Sequence, residues 1–512
     1  MDDKIDLIWY EVWSSATPRP FYFHKKDETV SWDPPADAII FDPPDGFFCF
    51  PPASKSSDEQ EIDINSKDTS LMSRVGTLKS FKSQNLISNF TLEEETHDIF
   101  SLQVQKPELL MDIPYFPDDL FVLMSKTAII KYLQDNIGQQ FVGTLSKQEI
   151  PFEKVIRPGK KSLSGPILKN RFTSSKNVCQ SLFKYIRTYL NSASESSLND
   201  FSKLIDGNED MVADEASVQI LTELNTTAVT NNTINAWNLL LYVGSKYIVT
   251  EPIRLLIRSF CFLVATSEGV DYELKDLASI CLLRFSSRIP IDFGPEVTLM
   301  EYMNMCTSQT ALFGFSLSEI LWKEHLRGVE HPDNVPQILR KIAVKLRDMN
   351  AFQHEGIFRK PGGKTEQLSM ANKINNGEWE INSLSIDTVA SMITLFFSRL
   401  RESVIPPDMI LKMQTNAPSY VSISCANSLP AEHHDTLMFF IGLLQEFLIY
   451  KNKTRMNEKN FVISFGTMLS NIPDPLSLAS VATFPPRVAL QRMFTNLLRF
   501  WRTTDVYTCL TL

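Results

Sequence analysis

Cysteine is sparse and scattered in this chain. Cys49, Cys179, Cys261, Cys281, Cys306, Cys425 and Cys509 are widely spaced among 512 residues, and no two form a C-x-x-C pair. An odd, dispersed set excludes a disulfide framework and a structural zinc cluster, and predicts buried free thiols in a reducing compartment. Glycine (18) and proline (28) are too few and too irregular for a collagen-like or low-complexity chain. Long hydrophobic runs are missing as well. Trp237–Val243 and Leu437–Leu448 are among the most apolar stretches, and both fall well short of the roughly 20 residues that cross a bilayer. The opening MDDKIDLIWYEVW has no basic stretch ahead of an apolar core, unlike a secretory signal. Together these absences predict a cytoplasmic protein, associated with cytoskeleton or membrane only at the periphery.

An excess of positive charge is lacking too. The net charge is -10, which argues against a generic nucleic-acid binder. The deficit is uneven: Phe313–Leu512 holds 21 Lys and Arg against 18 Asp and Glu, the remainder 29 against 42. The C-terminal part is therefore the better face for an acidic partner. Phosphate-loop, metalloprotease and hydrolase signatures (G-x-x-x-x-G-K-S/T, H-E-x-x-H, G-x-S-x-G) do not occur. His433 and His434 are adjacent. A neighbouring pair does not aim both rings at one point, so they read as a helix N-terminus rather than a metal site or catalytic base. No cofactor and no metal are expected on this chain.

What is present is ordinary globular material, 43% hydrophobic and 21% charged, on a length that calls for two to four domains. Residues 1–45 are dense in aromatics and prolines. Residues 46–94 turn to Ser, Asp and Lys with almost no aromatics, a composition that cannot offset its ordering entropy, and predict a flexible linker. From 95 to 308 apolar residues return at helical spacing, with a polar break near Ser192–Ala216, and 309–512 is strongly helical. Val335, Ile338, Leu339, Ile342, Leu346 and Met349 share one helix face, with Pro336 in the first turn. Further helices are predicted at Thr388–Leu400, Asp435–Tyr450, Glu458–Leu469 and Val488–Trp501. No two-residue alternation is sustained after 95, and no solenoid repeat appears. The predicted fold is multidomain and mainly α: a small three-stranded β module, a linker, then two all-α domains.

The richest segment is Glu355-Gly356-Ile357-Phe358-Arg359-Lys360-Pro361-Gly362. Glycines on both sides permit tight turns. Ile357 and Phe358 can bury and pin the loop, leaving Arg359 as a long cation held outward.

This segment resembles the signature loop of RhoGAP domains, and the resemblance extends over 309–512. Phe313-Gly314-Phe315-Ser316-Leu317, Val335-Pro336-Ile338-Leu339 and Met456-Asn457-Glu458-Lys459-Asn460-Phe461 are similar to other landmarks of that family. The resemblance implies a GTPase activator acting in trans, with Arg359 as the catalytic arginine finger. Lys360, Asn460 and Arg399 would contact the GTPase, and GTP and magnesium would belong to the partner. Thr394 and Ser398 stand where the family carries a Lys and an Arg, and Thr467-Met468 replaces a Pro-Asn. Arg399 is the neighbouring cation.

Trp9, Phe21-Tyr22-Phe23, Trp32 and Asp33-Pro34-Pro35 resemble a WW domain. That implies a clamp of Trp9, Tyr22 and Pro35, and a groove of Phe21 and Trp32 for a proline-rich peptide. His24, Lys25 and Val30 depart from the usual groove residues, and the aromatics can equally serve only to hold the sheet. Ser164-Gly165-Pro166-Ile167-Leu168, Leu182-Phe183-Tyr185-Ile186, Ala236-Trp237-Asn238-Leu239-Leu240 and Glu251–Leu256 resemble a MyTH4 domain, which implies microtubule or partner-tail binding. A helical spacer is the plainer alternative. Arg254 and Arg258, one turn apart, would be a basic stripe or simply a solvated helix edge. The three modules in this order resemble the Vilse/CrossGAP family of Rho GTPase activators, of Rac/Cdc42 type. The competing readings are a non-catalytic GTPase-binding adaptor and a peripheral lipid-binding regulator.

Overall fold

The computed structural model describes residues 8–12, 21–25, 27, 29–34, 38–41, 99, 123–124, 126–136, 158–159, 162–163, 165–168, 176–208, 211–293, 297–379, 384–472 and 484–503. The expected linker at 46–94 lies outside them, as do Pro35, Cys49 and Cys509.

Four strands open the chain: β1 (Ile8–Val12), β2 (Phe21–His24), β3 (Val30–Ser31) and β4 (Ile39–Phe41). β1, β2 and β3 form an antiparallel meander, and β4 adds in parallel to the free edge of β1, giving the order β3-β2-β1-β4. The register sets Tyr10 opposite Phe23 and Val12 opposite Phe21. Alternation along each strand puts these four side chains on one face.

The middle unit holds α1 (Lys126–Asn136), α2 (Lys176–Ser192), α3 (Glu195–Asp206), α4 (Met211–Glu223), α5 (Asn231–Lys246), α6 (Glu251–Thr266), α7 (Tyr272–Arg284) and α8 (Leu299–Thr307). The polar stretch at Ser192–Ala216 is not a break. Ser194 caps α3 through its side chain, and Leu198, Phe201 and Ile205 bury one face of that helix. Arg254 and Arg258 are neither a basic stripe nor a solvated edge, being 8% and 2% exposed. Arg254 donates to the carbonyls of Phe285 and Ser286, just past the end of α7, and to the carboxylate of Glu251.

The C-terminal unit holds α9 (Leu317–Leu326), α10 (Gln337–Asp348), α11 (Lys364–Asn375), α12 (Ile386–Ser398), α13 (Pro407–Leu411), α14 (Ser419–Asn427), α15 (Ala431–Ile449), α16 (Lys451–Thr454), α17 (Glu458–Phe465) and α18 (Pro485–Phe500). The predicted face of α10 is buried from Ile338 to Leu346. His433 and His434 stand in the first turn of α15 and diverge. His433 meets the Val404 carbonyl, and His434 meets Asp435.

Two cores result. One gathers buried residues of the middle unit. The other joins 291–501 with Tyr10, Val12, Phe21 and Phe23 of the sheet. The sheet thus shares a core with the C-terminal helices, and the ring of Phe23 meets that of Phe500 at 4.9 Å. This overturns the expectation of an open groove. Phe21 is 0% exposed, and Trp32, half-buried, lies edge-on to it at 6.0 Å. Five cysteines among the described residues are free thiols, four of them buried. Burial pushes Cys179 up to about 12. No helix among the described residues is long and apolar enough to cross a membrane.

Helix α9 couples the two cores. Leu317 and Ile320 face the C-terminal core, while Trp322 enters the middle one. Between them Glu319, fully buried, pairs with Arg284 at 2.5 Å and Lys323 at 3.2 Å. Arg284 also donates to Ser245 and to the Leu241 and Cys306 carbonyls, and Arg401 donates to the Gly244, Arg284 and Ile289 carbonyls. Burial alone would raise the Glu319 carboxyl, but Arg284 and Lys323 hold it down at about 2. Burial brings Lys323 down to about 8 against the pull of Glu319.

Candidate functional site

The loop around Arg359 is fastened on both sides of that residue. After α10 the chain passes Asn350 in a left-handed conformation (φ 56°) and a short 3-10 turn at Ala351–Gln353. The ring of His354 meets Asp387 at 3.1 Å. Gly356, at φ +80°, donates its N–H to the Thr454 carbonyl at 2.8 Å. Its positive φ favours glycine, and the Lys360 and Arg359 side chains lie close over it, 3.2 Å and 3.4 Å from where a Cβ would stand.

Ile357 is fully buried. Phe358 adopts φ +64°, a conformation costing a non-glycine residue about 1 kcal/mol or more. It is held by ring contacts to Phe447 (4.9 Å), Phe465 (5.4 Å) and Phe461 (6.1 Å). The far side is tied to α12: Gly362 N–H donates to Ser391 Oγ at 2.9 Å and Gly363 N–H to Thr388 Oγ1 at 3.3 Å. A Cβ on Gly362 would lie 2.4 Å from Thr388 Cα.

Between these anchors the backbone N–H groups of Arg359 and Lys360 both donate to the Gly356 carbonyl, and both side chains are exposed. Among the described residues the Arg359 guanidinium has no hydrogen-bonding or ion-pairing partner. A free guanidinium on a rigid turn keeps its full donor set for an outside anion.

Asn460 lies on α17, the helix whose Phe461 and Phe465 grip Phe358. Asn460 is half-buried at the third position of α17. Its Oδ1 accepts the Asn457 N–H at 3.1 Å and its N–H donates to Asn457 Oδ1 at 3.0 Å, a reciprocal capping box. That use fixes the orientation of the amide and leaves Nδ2 without a partner among the described residues.

Arg399 does not join them. The loop meets α12 at Asp387, Thr388 and Ser391, whereas Arg399 caps the other end of that helix. It lies eight residues past Ser391, about 12 Å along the axis, and donates to the Asp292 carbonyl at 3.2 Å. Thr394 is half-buried, and exposed Ser398 bonds the Leu395 carbonyl.

The sequence reading passed over one group. Lys451, Lys453, Arg455 and Lys459 are exposed beside the loop, since Thr454 accepts the Gly356 N–H. The signal was available in the run Lys-Asn-Lys-Thr-Arg between two apolar helices.

Residues 336–474 match the family model for the RhoGAP domain. This part of the chain is a RhoGAP domain. Similar curated proteins include Rho GTPase-activating protein 1 of Arabidopsis thaliana, 23% identical over 214 residues, covering 41% of this chain and 43% of the relative. Rho GTPase-activating protein 5 of the same plant is 22% identical over 214 residues, covering 41% and 61%. The chain spans about half the length of these curated relatives. Among solved structures, human Rho GTPase activating protein 15 is similar at 18% identity and a TM-score of 0.33, covering 40% of this chain and 96% of the other. A MyTH4-FERM domain of Dictyostelium discoideum myosin VII is similar at 17% identity and 0.29, covering 38% of each. These TM-scores are too low to establish a shared architecture.

Proposed function

We propose that this chain activates a Rho-family small GTPase in trans, with Arg359 as the arginine finger and no GTP hydrolysis of its own. The supporting observation is a guanidinium that is exposed and unpartnered, on a loop anchored on one side at Gly356, Ile357 and Phe358 and on the other at Gly362. As GTP is cleaved, negative charge grows on the transferring phosphoryl oxygens. A planar cation already positioned there neutralises it with little reorganisation, worth roughly 10³–10⁵ in rate. Lysine lacks the fork that spans two oxygens. Asn460 offers its free Nδ2 to the partner's backbone near the nucleotide. GTP and magnesium come with the partner.

The location of the accessory parts is compatible with this role. The sheet packs on Phe500, and the adjacent Trp501 meets His434 at the start of α15. Ser318 of α9 bonds Glu432 in the same turn. The Arg359 loop packs on Phe447 near the other end. Thirteen positions separate His434 from Phe447, about 20 Å of helix.

A Rac/Cdc42-type partner and a MyTH4-like middle unit linking the activator to cytoskeletal partners belong to this proposal and rest on the quoted motifs. Recruitment by a proline-rich ligand at Phe21 does not, because that ring is enclosed. The second reading, a GTPase-binding adaptor, is favoured by the neutral Thr394 and Ser398 and by the bond that engages Arg399 with the Asp292 carbonyl. Single-turnover hydrolysis on a Rho, Rac and Cdc42 panel, with wild type and Arg359→Ala side by side, decides. Stimulation lost in the variant with binding retained supports the finger. Equal hydrolysis by both excludes it, and binding without acceleration by either leaves the adaptor.

A further inference from the structure

Six exposed lysines and arginines beside Arg359 stand without partners among the described residues: Lys360 and Lys364 on its own segment, and Lys451, Lys453, Arg455 and Lys459 across it. The Gly356–Thr454 hydrogen bond joins the two segments into one face. Of the nearby acids, Glu458 is tied to Arg499 at 2.5 Å, leaving Glu355 and Glu366, the latter accepting from the Thr388 hydroxyl, against six cations. Ile449 and Ile463, 69% and 65% exposed, flank the same cations. The concentration is notable in a chain of net charge -10.

The opposite wall is different. Helix α12 presents Thr394 and Ser398, and its one nearby cation, Arg399, is engaged with Asp292. We infer that electrostatic capture of the GTPase runs through the α16–α17 wall, where Lys451, Lys453, Arg455 and Lys459 receive an acidic protein surface around the partner's nucleotide pocket and Ile449 and Ile463 supply the apolar contact. The inference rests on the proposed GTPase-activating role and names the partner's surface chemistry. A protein fits better than a membrane, because a bilayer seated on this face would cover Arg359 as well. Charges of this kind raise association rate more than bound-state rate. Their removal should therefore appear in kcat/KM and in salt dependence, with the saturated rate preserved.

The test uses the full chain. Lys451→Glu, Lys453→Glu and Lys459→Glu are combined, with a Lys→Gln triple as a milder version. Lys131→Glu, Lys184→Glu and Lys203→Glu, exposed on the middle unit, give the same charge change elsewhere. The expected result is a fall in kcat/KM of about tenfold or more at low salt, a smaller fall for the Gln triple, a flattened salt slope, an unchanged saturated rate and no change in the control. The inference is overturned if the charge-reversed chain matches wild type in kcat/KM and salt slope, including the case where it loses only adsorption to phosphatidylserine vesicles. If wild type stimulates no GTPase, capture of the panel loaded with a non-hydrolysable GTP analogue is measured instead. Capture weakened by the triple reversal keeps the inference while the activator role fails. No capture, or capture indifferent to the reversal, sinks the inference.

Discussion

Arg284 and Arg359 meet opposite surroundings. Arg284 is fully buried, paired with Glu319 and bonded to Ser245 and two backbone carbonyls. Arg359 is exposed and has no partner among the described residues. The same functional group works as mortar in one place and is held ready in the other. What separates them is how many donors the fold itself consumes: a guanidinium with its hydrogens satisfied contributes to stability, and one left unsatisfied on a stiff support is free for another molecule.

That contrast can be broken at either end. The largest effect is expected at the free arginine. Arg359→Ala should lower stimulated hydrolysis by about 10³-fold or more without moving the thermal midpoint, checked by single-turnover kinetics and calorimetry; Arg359→Lys should recover little of the loss. At the buried end, Glu319→Gln strands Arg284 and Lys323 and should cost about 3–5 kcal/mol of stability, read by denaturant titration. Lys323→Met should cost much less, since Glu319 keeps its closer partner Arg284. The Glu319 carboxyl is held below its usual 4.5, at about 2. Its contribution is therefore complete above about 4.5 and lost as pH falls toward 2, so wild type and Glu319→Gln should converge in stability over that interval.

Two smaller tests probe the stiffness of the support. Gly362→Ala drives a Cβ into the Thr388 backbone and should cost about 1–3 kcal/mol together with part of the stimulated rate. Asn457→Ala removes the capping box that orients Asn460. It should cost about 1 kcal/mol and weaken GTPase binding, measured by titration calorimetry.

The site was more legible in the sequence than its setting. The loop's own residues indicated an anchored Ile357 and Phe358 and an exposed Arg359; the structure buries Ile357 fully and Phe358 in part and leaves Arg359 exposed. The left-handed Phe358 was not legible, being imposed by three phenylalanines about 90 to 107 positions away. Arg254 looked like a surface residue because its acceptors, the carbonyls past α7, come from another helix. The alternation of Tyr10, Val12, Phe21 and Phe23 marked an apolar face without saying what covers it; the cover, Phe500, is at the other end of the chain. Arg399 was drawn to the site by adjacency in sequence, whereas one residue on a helix turns a side chain by about 100°.

Helix α15 spaces the grips from the tool. Trp501 and α9 both meet its beginning, while the loop bearing Arg359 packs on Phe447 near its end. A chain tethered through its amino-terminal half, to a bead or to a filament, is expected to stimulate hydrolysis as fast as the free one, because that helix sets about 20 Å between the α9 contact and Phe447.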